Sequence, residues 1–225
     1  MGPKAAPNLY GHLFSSYTQK ALIAFYEKGA AFEFRDLSER SPDNVARWKA
    51  LWPIGRFPVL EADGEVVVEA TCVIEWLDAR EPTRAPLIPT DARAAREARM
   101  RDRIFDNYVM ANMQKLVFDR IRPDDAKDPN GVAEARDALD RTYDWLDGEM
   151  ASREWAAGEA FSVADCAAAP ALFYADWVRP FDGRENLIAY FRRLRDRPSF
   201  ARCVDDARPA RALFPGAAPK VRFEG

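Results

Sequence analysis

Three short stretches hold residues suited to chemistry: Ser15-Ser16, Gly55-Arg56-Phe57-Pro58-Val59-Leu60, and Glu69-Ala70-Thr71. In the middle stretch a proline stands where a strand should begin. Proline cannot donate to a sheet ladder, so it is tolerated only at a strand's edge or first residue. A cis Phe57-Pro58 bond would leave the Phe57 N–H and C=O facing outward and available to a ligand. Glu69-Ala70-Thr71 opens a helix whose N-terminal amides can hold a carboxylate. Together these two stretches read as a small-peptide binding site. Ser15 and Ser16 stand between the first strand and the first helix, where either hydroxyl can cap the helix.

Other chemistries find little support. The chain has 225 residues, 48% of them hydrophobic and 31% charged, enough to bury a core without disulfides or metals. Its net charge of -3 gives no reason to expect nucleic acid or an anionic membrane as partner. Cys72, Cys166 and Cys203 are odd in number and widely spaced, so they form neither a disulfide framework nor a Cys-x-x-Cys pair. They read as free, buried thiols of a reducing cytosol. His12 is the only histidine and has no second His or Cys near it, so no metal site is expected. The first residues lack the apolar stretch of a signal peptide, and no run is long enough to span a bilayer. The expectation is a soluble, cytoplasmic protein.

Hydrophobic periodicity supplies the scaffold. Leu9 to Phe14 reads as a strand, Lys20 to Lys28 as a helix closed by Gly29, and Phe32 to Leu37 as an alternating half-buried strand. A weaker helix starts at Ser41-Pro42. Phe57 to Ala62 and Glu65 to Val68 form a hairpin about Asp63-Gly64, and Thr71 to Ala79 is helical again. The order β-α-β-α-β-β-α packs as a four-stranded mixed sheet with helices on both faces. The proline-rich residues 82–91 read as a linker. Beyond it no convincing strand remains. Ala92 to Arg122 reads as one long helix and Val132 to Met150 as another. Phe161-Ser162-Val163-Ala164-Asp165 is a helix start with Ser162 as N-cap and Asp165 reaching back, and a further helix runs near Ile188 to Arg195. The fold class expected is α/β plus all-α: a βαβαββα domain over residues 8–81, then a helical one over 92–225.

At this point the chain resembles the cytosolic glutathione transferases over nearly its whole length, in a serine-type, theta- or zeta-like form. Leu9-Tyr10-Gly11 through Ser15-Ser16-Tyr17-Thr18-Gln19-Lys20 is similar to the first strand and serine loop of the serine-type classes. Pro53 to Leu60 is similar to the family's cis-proline segment, Glu69-Ala70-Thr71 to its Glu-Ser helix start, and Phe161 to Asp165 to its helical-domain folding box. The resemblance implies a thioredoxin-like N-terminal domain that binds glutathione as co-substrate, an all-helical substrate domain, no metal, a homodimer, and detoxification by conjugation to a small hydrophobic electrophile.

It also implies roles for particular residues. Glutathione must attack as a thiolate, while an unperturbed thiol has a pKa of about 8.5. A hydroxyl donating to the sulfur favours the charged form, and the positive end of the helix dipole adds to it. Ser15 is the favoured catalytic donor and Ser16 its rival. Phe57, before Pro58, would pair its backbone with the cysteinyl amide. Glu69 would accept from the γ-glutamyl ammonium, the N–H groups of Ala70 and Thr71 would receive its carboxylate, and Arg56 lies near the glycine end. Phe14, Tyr17, Asn107, Tyr108, Met110 and Met113 are the expected electrophile-pocket residues. Ala70 departs from the family's usual serine; losing that charge-assisted hydrogen bond costs ~1.5–3 kcal/mol unless another group replaces it. The resemblance leaves two alternatives: a glutathione-dependent isomerase of the maleylacetoacetate type, which has Ser-Ser-Cys where this chain has Ser-Ser-Tyr17, and a non-catalytic binding protein on the same fold.

Overall fold

The computed structural model describes residues 5–216. The first domain is built from β1 (Asn8–Gly11), α1 (Ser16–Lys28), β2 (Glu33–Asp36), α2 (Pro42–Leu51), β3 (Val59–Ala62), β4 (Glu65–Val68) and α3 (Ala70–Arg80). The strands lie in the order β2-β1-β3-β4. β1 runs parallel to β2 and antiparallel to β3, and β3 runs antiparallel to β4. The period-two alternation of β1 divides the packing. Leu9 joins Leu60, Leu22, Val73 and Ile74 in the main core, while Tyr10 joins Val59 and Trp48 of α2 in a smaller cluster on the opposite face. Asp63 and Gly64 both take positive φ, 52° and 84°, as a type I′ hairpin turn requires.

The helical domain comprises α4 (Ala92–Ile104), α5 (Ala111–Ile121), α6 (Pro129–Met150), α7 (Val163–Asp176), α8 (Glu185–Asp196) and α9 (Pro198–Ala207). The long helix expected from Ala92 is a continuous rod interrupted by a π-helical stretch, Phe105–Met110, between α4 and α5. Every residue of α7 is buried. Its alanine-rich sequence lets α1 and α4 approach closely, and α1·α7 is the main seam between the domains. Ser162 and Asp165 form a full capping box, each side chain bonding the other's end of the first turn. Asp165 also accepts from the Ala156 N–H at 2.8 Å and the Tyr190 hydroxyl at 2.7 Å. The linker is pinned: the Asp78 carboxylate accepts from the Leu87 and Ile88 N–H groups, and Leu87 C=O accepts from Val163 N–H.

Cys166 and Cys203 are buried, but Cys72, expected to be buried with them, is exposed on α3. Some boundaries also differ from the sequence reading. α1 begins at Ser16 rather than Lys20, because Ser15 caps it, and β1 stops at Gly11 for the same reason. α9 carried no motif that reasoning from sequence caught, although Pro198 occupies the favoured first-turn position.

Candidate functional site

A cleft of about 670 Å³ opens between the two domains. The sheet domain supplies its floor from three loops: the β1–α1 turn, the α2–β3 loop, and the β4–α3 junction. Ser15, Ser16, Arg56, Phe57, Pro58, Glu69 and Ala70 all line it.

Ser15 is the N-cap of α1, with φ -89° and ψ 127°. Its Oγ accepts from the Thr18 N–H at 3.3 Å. That bond uses a lone pair, leaving the hydroxyl proton to donate elsewhere. Ser16 lines the same wall but is itself buried. Ser15 is therefore the more open of the two hydroxyls, and it stands at the positive end of a thirteen-residue helix.

The Phe57-Pro58 bond is cis. Phe57 lies ahead of the β3 ladder, and among the described residues no backbone partner of its N–H or C=O occurs. Its ring packs on Trp48 at 5.8 Å, and Trp48 Nε1 donates to the Arg56 C=O at 2.9 Å, so α2 fixes this loop from behind. Gly55, with φ 73°, makes the turn into it.

Glu69 takes φ 69°, a left-handed conformation unusual for a residue with a side chain. Such conformations concentrate at ligand clamps and cost of order 1–3 kcal/mol. Its side chain makes no cap bond to α3, and the residue lines the cleft. Ala70 follows as the first helical residue.

The helical domain forms the opposite wall. The π-helical stretch brings Asp106 and Asn107 to the cleft, with Arg103 one turn earlier. π turns are frequent at functional sites because they re-aim side chains within a helix. Behind them lies an ionic network across the domain boundary. Lys20 Nζ of α1, 1% exposed, bonds Asp102 at 2.5 Å, Asp106 at 2.7 Å and Thr71 Oγ1 at 2.9 Å. Thr71 donates to Asp102 Oδ2 at 2.9 Å, and Arg103 bonds Asp102, Asp106 and Thr71. Burial pushes the Asp106 carboxyl up, Lys20 pulls it down and Asp102 pushes it up again, so its pKa stands above the ordinary value. Burial also drives the Tyr17 hydroxyl up to about 12, so it remains a neutral donor at physiological pH.

The outer end of the cleft is apolar. Phe14, packed edge-on against Tyr174 at 5.3 Å, lines it together with Met113, Val117, Phe118 and Ile121 of α5 and Leu213 and Phe214 beyond α9.

The structure brings most of the expected residues to one cleft and corrects two placements. Met110, expected in the electrophile pocket, is 2% exposed and belongs to the core. Tyr108, expected beside it, points away at 57% exposure and lines a separate groove with Ile104, Ala138, Arg141, Thr142 and Trp145. Asp106 and Asn107 take the cleft side of the π-helical stretch, and Tyr108, next in the chain, is turned to the separate groove. Thr71 is no substitute for the hydroxyl that Ala70 lacks, because its own is held by Lys20, Asp102 and Arg103. Reasoning from sequence missed His12, Trp52, Arg103, Asp106, Gln114, Phe118, Leu213 and Phe214 at the cleft. The four-residue spacing of Met113, Val117 and Ile121, and of Gln114 and Phe118, was the available signal for the α5 wall. Among the described residues no cluster of three or more His, Cys, Asp or Glu could hold a metal, and no helix is long and apolar enough to cross a membrane.

Comparison with known proteins agrees with this architecture. Residues 9–85 match the model of the glutathione S-transferase N-terminal domain, and residues 129–193 that of the glutathione S-transferase C-terminal domain. Glutathione S-transferase GstB of Escherichia coli K12 is 25% identical, over 87% of this chain and 96% of its own. FtsZ-localized protein A of Caulobacter vibrioides is 27% identical, over 85% of this chain and 86% of its own. The crystal structure of a glutathione S-transferase from Methylobacillus flagellatus with GSH bound is 26% identical, with a TM-score of 0.79, covering 88% of this chain and 98% of that one. Matched at both domains, in order and on the same fold, this chain belongs to the glutathione S-transferase family.

Proposed function

We propose that this chain conjugates glutathione to hydrophobic electrophiles through a thiolate stabilised by Ser15. The observation that carries the reading is the Ser15 hydroxyl, free to donate at the N-terminus of α1, in the same cleft as the unpaired Phe57 backbone and the Glu69-Ala70 helix start. In this reading Phe57 pairs with the cysteinyl residue in strand fashion. Glu69 takes the γ-glutamyl ammonium, the first amides of α3 take its carboxylate, and Arg56 pairs with the glycine carboxylate. The sulfur then faces Ser15. The thiol proton leaves to solvent, the thiolate forms an S–C bond with the electrophilic carbon, and the electrophile's leaving group departs with its electron pair. Ser16 lies deeper and supports the loop. The apolar wall of Phe14, Met113 and α5 holds the electrophile, with Tyr17 and Asn107 as polar contacts at its inner edge.

The reading extends to a homodimer. The exposed apolar groove between Tyr108 of the π-helical stretch and Trp145 of α6 is the face it would bury, and sedimentation at micromolar concentration tests it.

Calorimetric titration with glutathione, followed by conjugation of an activated aryl chloride (chlorodinitrobenzene), tests the enzymatic role. Saturable binding with chloride release is expected. Absence of heat and of thermal stabilisation at millimolar glutathione would overturn it in favour of a non-catalytic module.

A further inference from the structure

We propose that Arg103, from the helical domain, binds the α-carboxylate of the γ-glutamyl residue and takes the place of the hydroxyl that Ala70 lacks. The inference rests on the glutathione reading above and concerns how this chain completes that site.

The guanidinium is held along one edge only. Nε donates to Asp102 Oδ2 at 3.0 Å, and Nη2 bonds Asp102 at 2.6 Å, Asp106 at 2.7 Å and Thr71. Among the described residues Nη1 has no hydrogen-bond partner. The side chain is 46% exposed and lines the same cleft as Glu69 and Ala70. A planar fork fixed on two nitrogens presents the third in a set direction, a pre-organised donor of the kind carboxylates favour.

The charges around this end of the cleft call for such a cation. Glu69 and Asp106 both line it, so a carboxylate placed beside Ala70 would meet two anions. Arg103 neutralises that field: burial lowers its pKa, but Asp102, Asp106 and Glu69 outweigh the burial and raise it. An α-amino acid head group fits the resulting pattern. Its ammonium faces Glu69 and Asp106, and its carboxylate faces the Ala70 N–H and Arg103 Nη1. Thr71, the other side chain at the α3 start with a hydroxyl, is committed to the network behind Arg103. Arg103 is thus a binding residue of the ground state, supplied across the domain boundary.

The test compares glutathione with γ-aminobutyryl-cysteinylglycine, which is glutathione without that carboxylate, by calorimetry on the full chain. Wild type should favour glutathione by ~10–100-fold, the range for a hydrogen bond to a charged group. Arg103→Met should cut that preference about tenfold, leaving the share carried by the α3 amides, and raise the KM for glutathione while leaving kcat nearly unchanged. Adding Ala70→Ser to Arg103→Met should restore about tenfold in affinity for glutathione and none for the analogue. In the wild-type background, where Arg103 fills the role, Ala70→Ser should gain less than about threefold. This last arm does not depend on how Arg103→Met folds. An unchanged preference in Arg103→Met, or a tenfold gain from Ala70→Ser alone, overturns the inference while leaving the glutathione reading intact. If wild type binds neither peptide, the glutathione reading falls and this inference falls with it.

Discussion

Two buried acidic centres hold the helical domain in place, and they do so by opposite means. Asp165 is wholly buried and satisfied by uncharged donors: the Ala156 and Ser162 N–H groups, the Ser162 hydroxyl and the Tyr190 hydroxyl. Burial pushes its carboxyl up, against the pull of those four bonds. Asp102 and Asp106 are instead neutralised by cations, Lys20 from the sheet domain and Arg103 beside them. The first centre fixes a helix start inside one domain and stands apart from the cleft. The second joins two domains and forms one wall of the cleft. A carboxylate that only has to hold a turn can be solvated by local dipoles. One placed at a domain boundary beside a charged ligand site calls for counter-charges, and these couple the site to the packing.

Breaking each centre should expose that difference. Lys20→Met is expected to have the largest effect, about 3–5 kcal/mol of stability, because two carboxylates lose their buried cation. Part of that loss should return in the double variant Lys20→Met/Asp102→Asn, measured by denaturant unfolding; strict additivity of the two changes would contradict the network. Asp165→Ala should cost about 3 kcal/mol by leaving four donor groups without their acceptor, with no rescue from any change of charge. Ser162→Ala removes one hydroxyl from the same box and should cost only ~1 kcal/mol. A loss as large as that of Asp165→Ala would make the serine, not the carboxylate, the hub of the box.

Tyr17, beside the second centre, gives the smallest effect. Its folded-state pKa of about 12 lies above the unfolded value of 10.0. The folded chain therefore keeps a proton that the unfolded chain sheds. The stability linked to it is complete below pH 10 and is lost as pH rises from there to about 12. Tyr17→Phe should reduce the pH dependence of alkaline unfolding by the contribution of one proton, among the several that the other buried tyrosines contribute.

The same contrast explains what the sequence made legible. The Ser162–Asp165 box spans four residues, and the hairpin turn, the Phe57-Pro58 segment and the Glu69-Ala70 helix start are equally local. Each declares itself through residue types at fixed short offsets, and the fold class followed from them. The network of Lys20, Thr71, Asp102, Arg103 and Asp106 joins residues up to 86 positions apart. Each member read alone is an ordinary helical charge. The π-helical stretch is just as silent, since Phe105 to Met110 carry no proline or glycine to announce a wider turn. For that reason Tyr108 and Met110 were expected at the cleft, whereas Arg103 and Asp106 are the residues that line it.

The central claim concerns the sulfur, and one measurement addresses it most directly: the ultraviolet thiolate titration of glutathione bound to wild type and to Ser15→Ala. The account predicts a thiol pKa in wild type well below the ordinary value of about 8.5, and a rise toward that value in Ser15→Ala, with glutathione affinity nearly unchanged and ~1 kcal/mol of stability lost with the α1 cap. A thiolate titration identical in the two proteins would contradict it and leave Ser15 as the cap of α1 and nothing more.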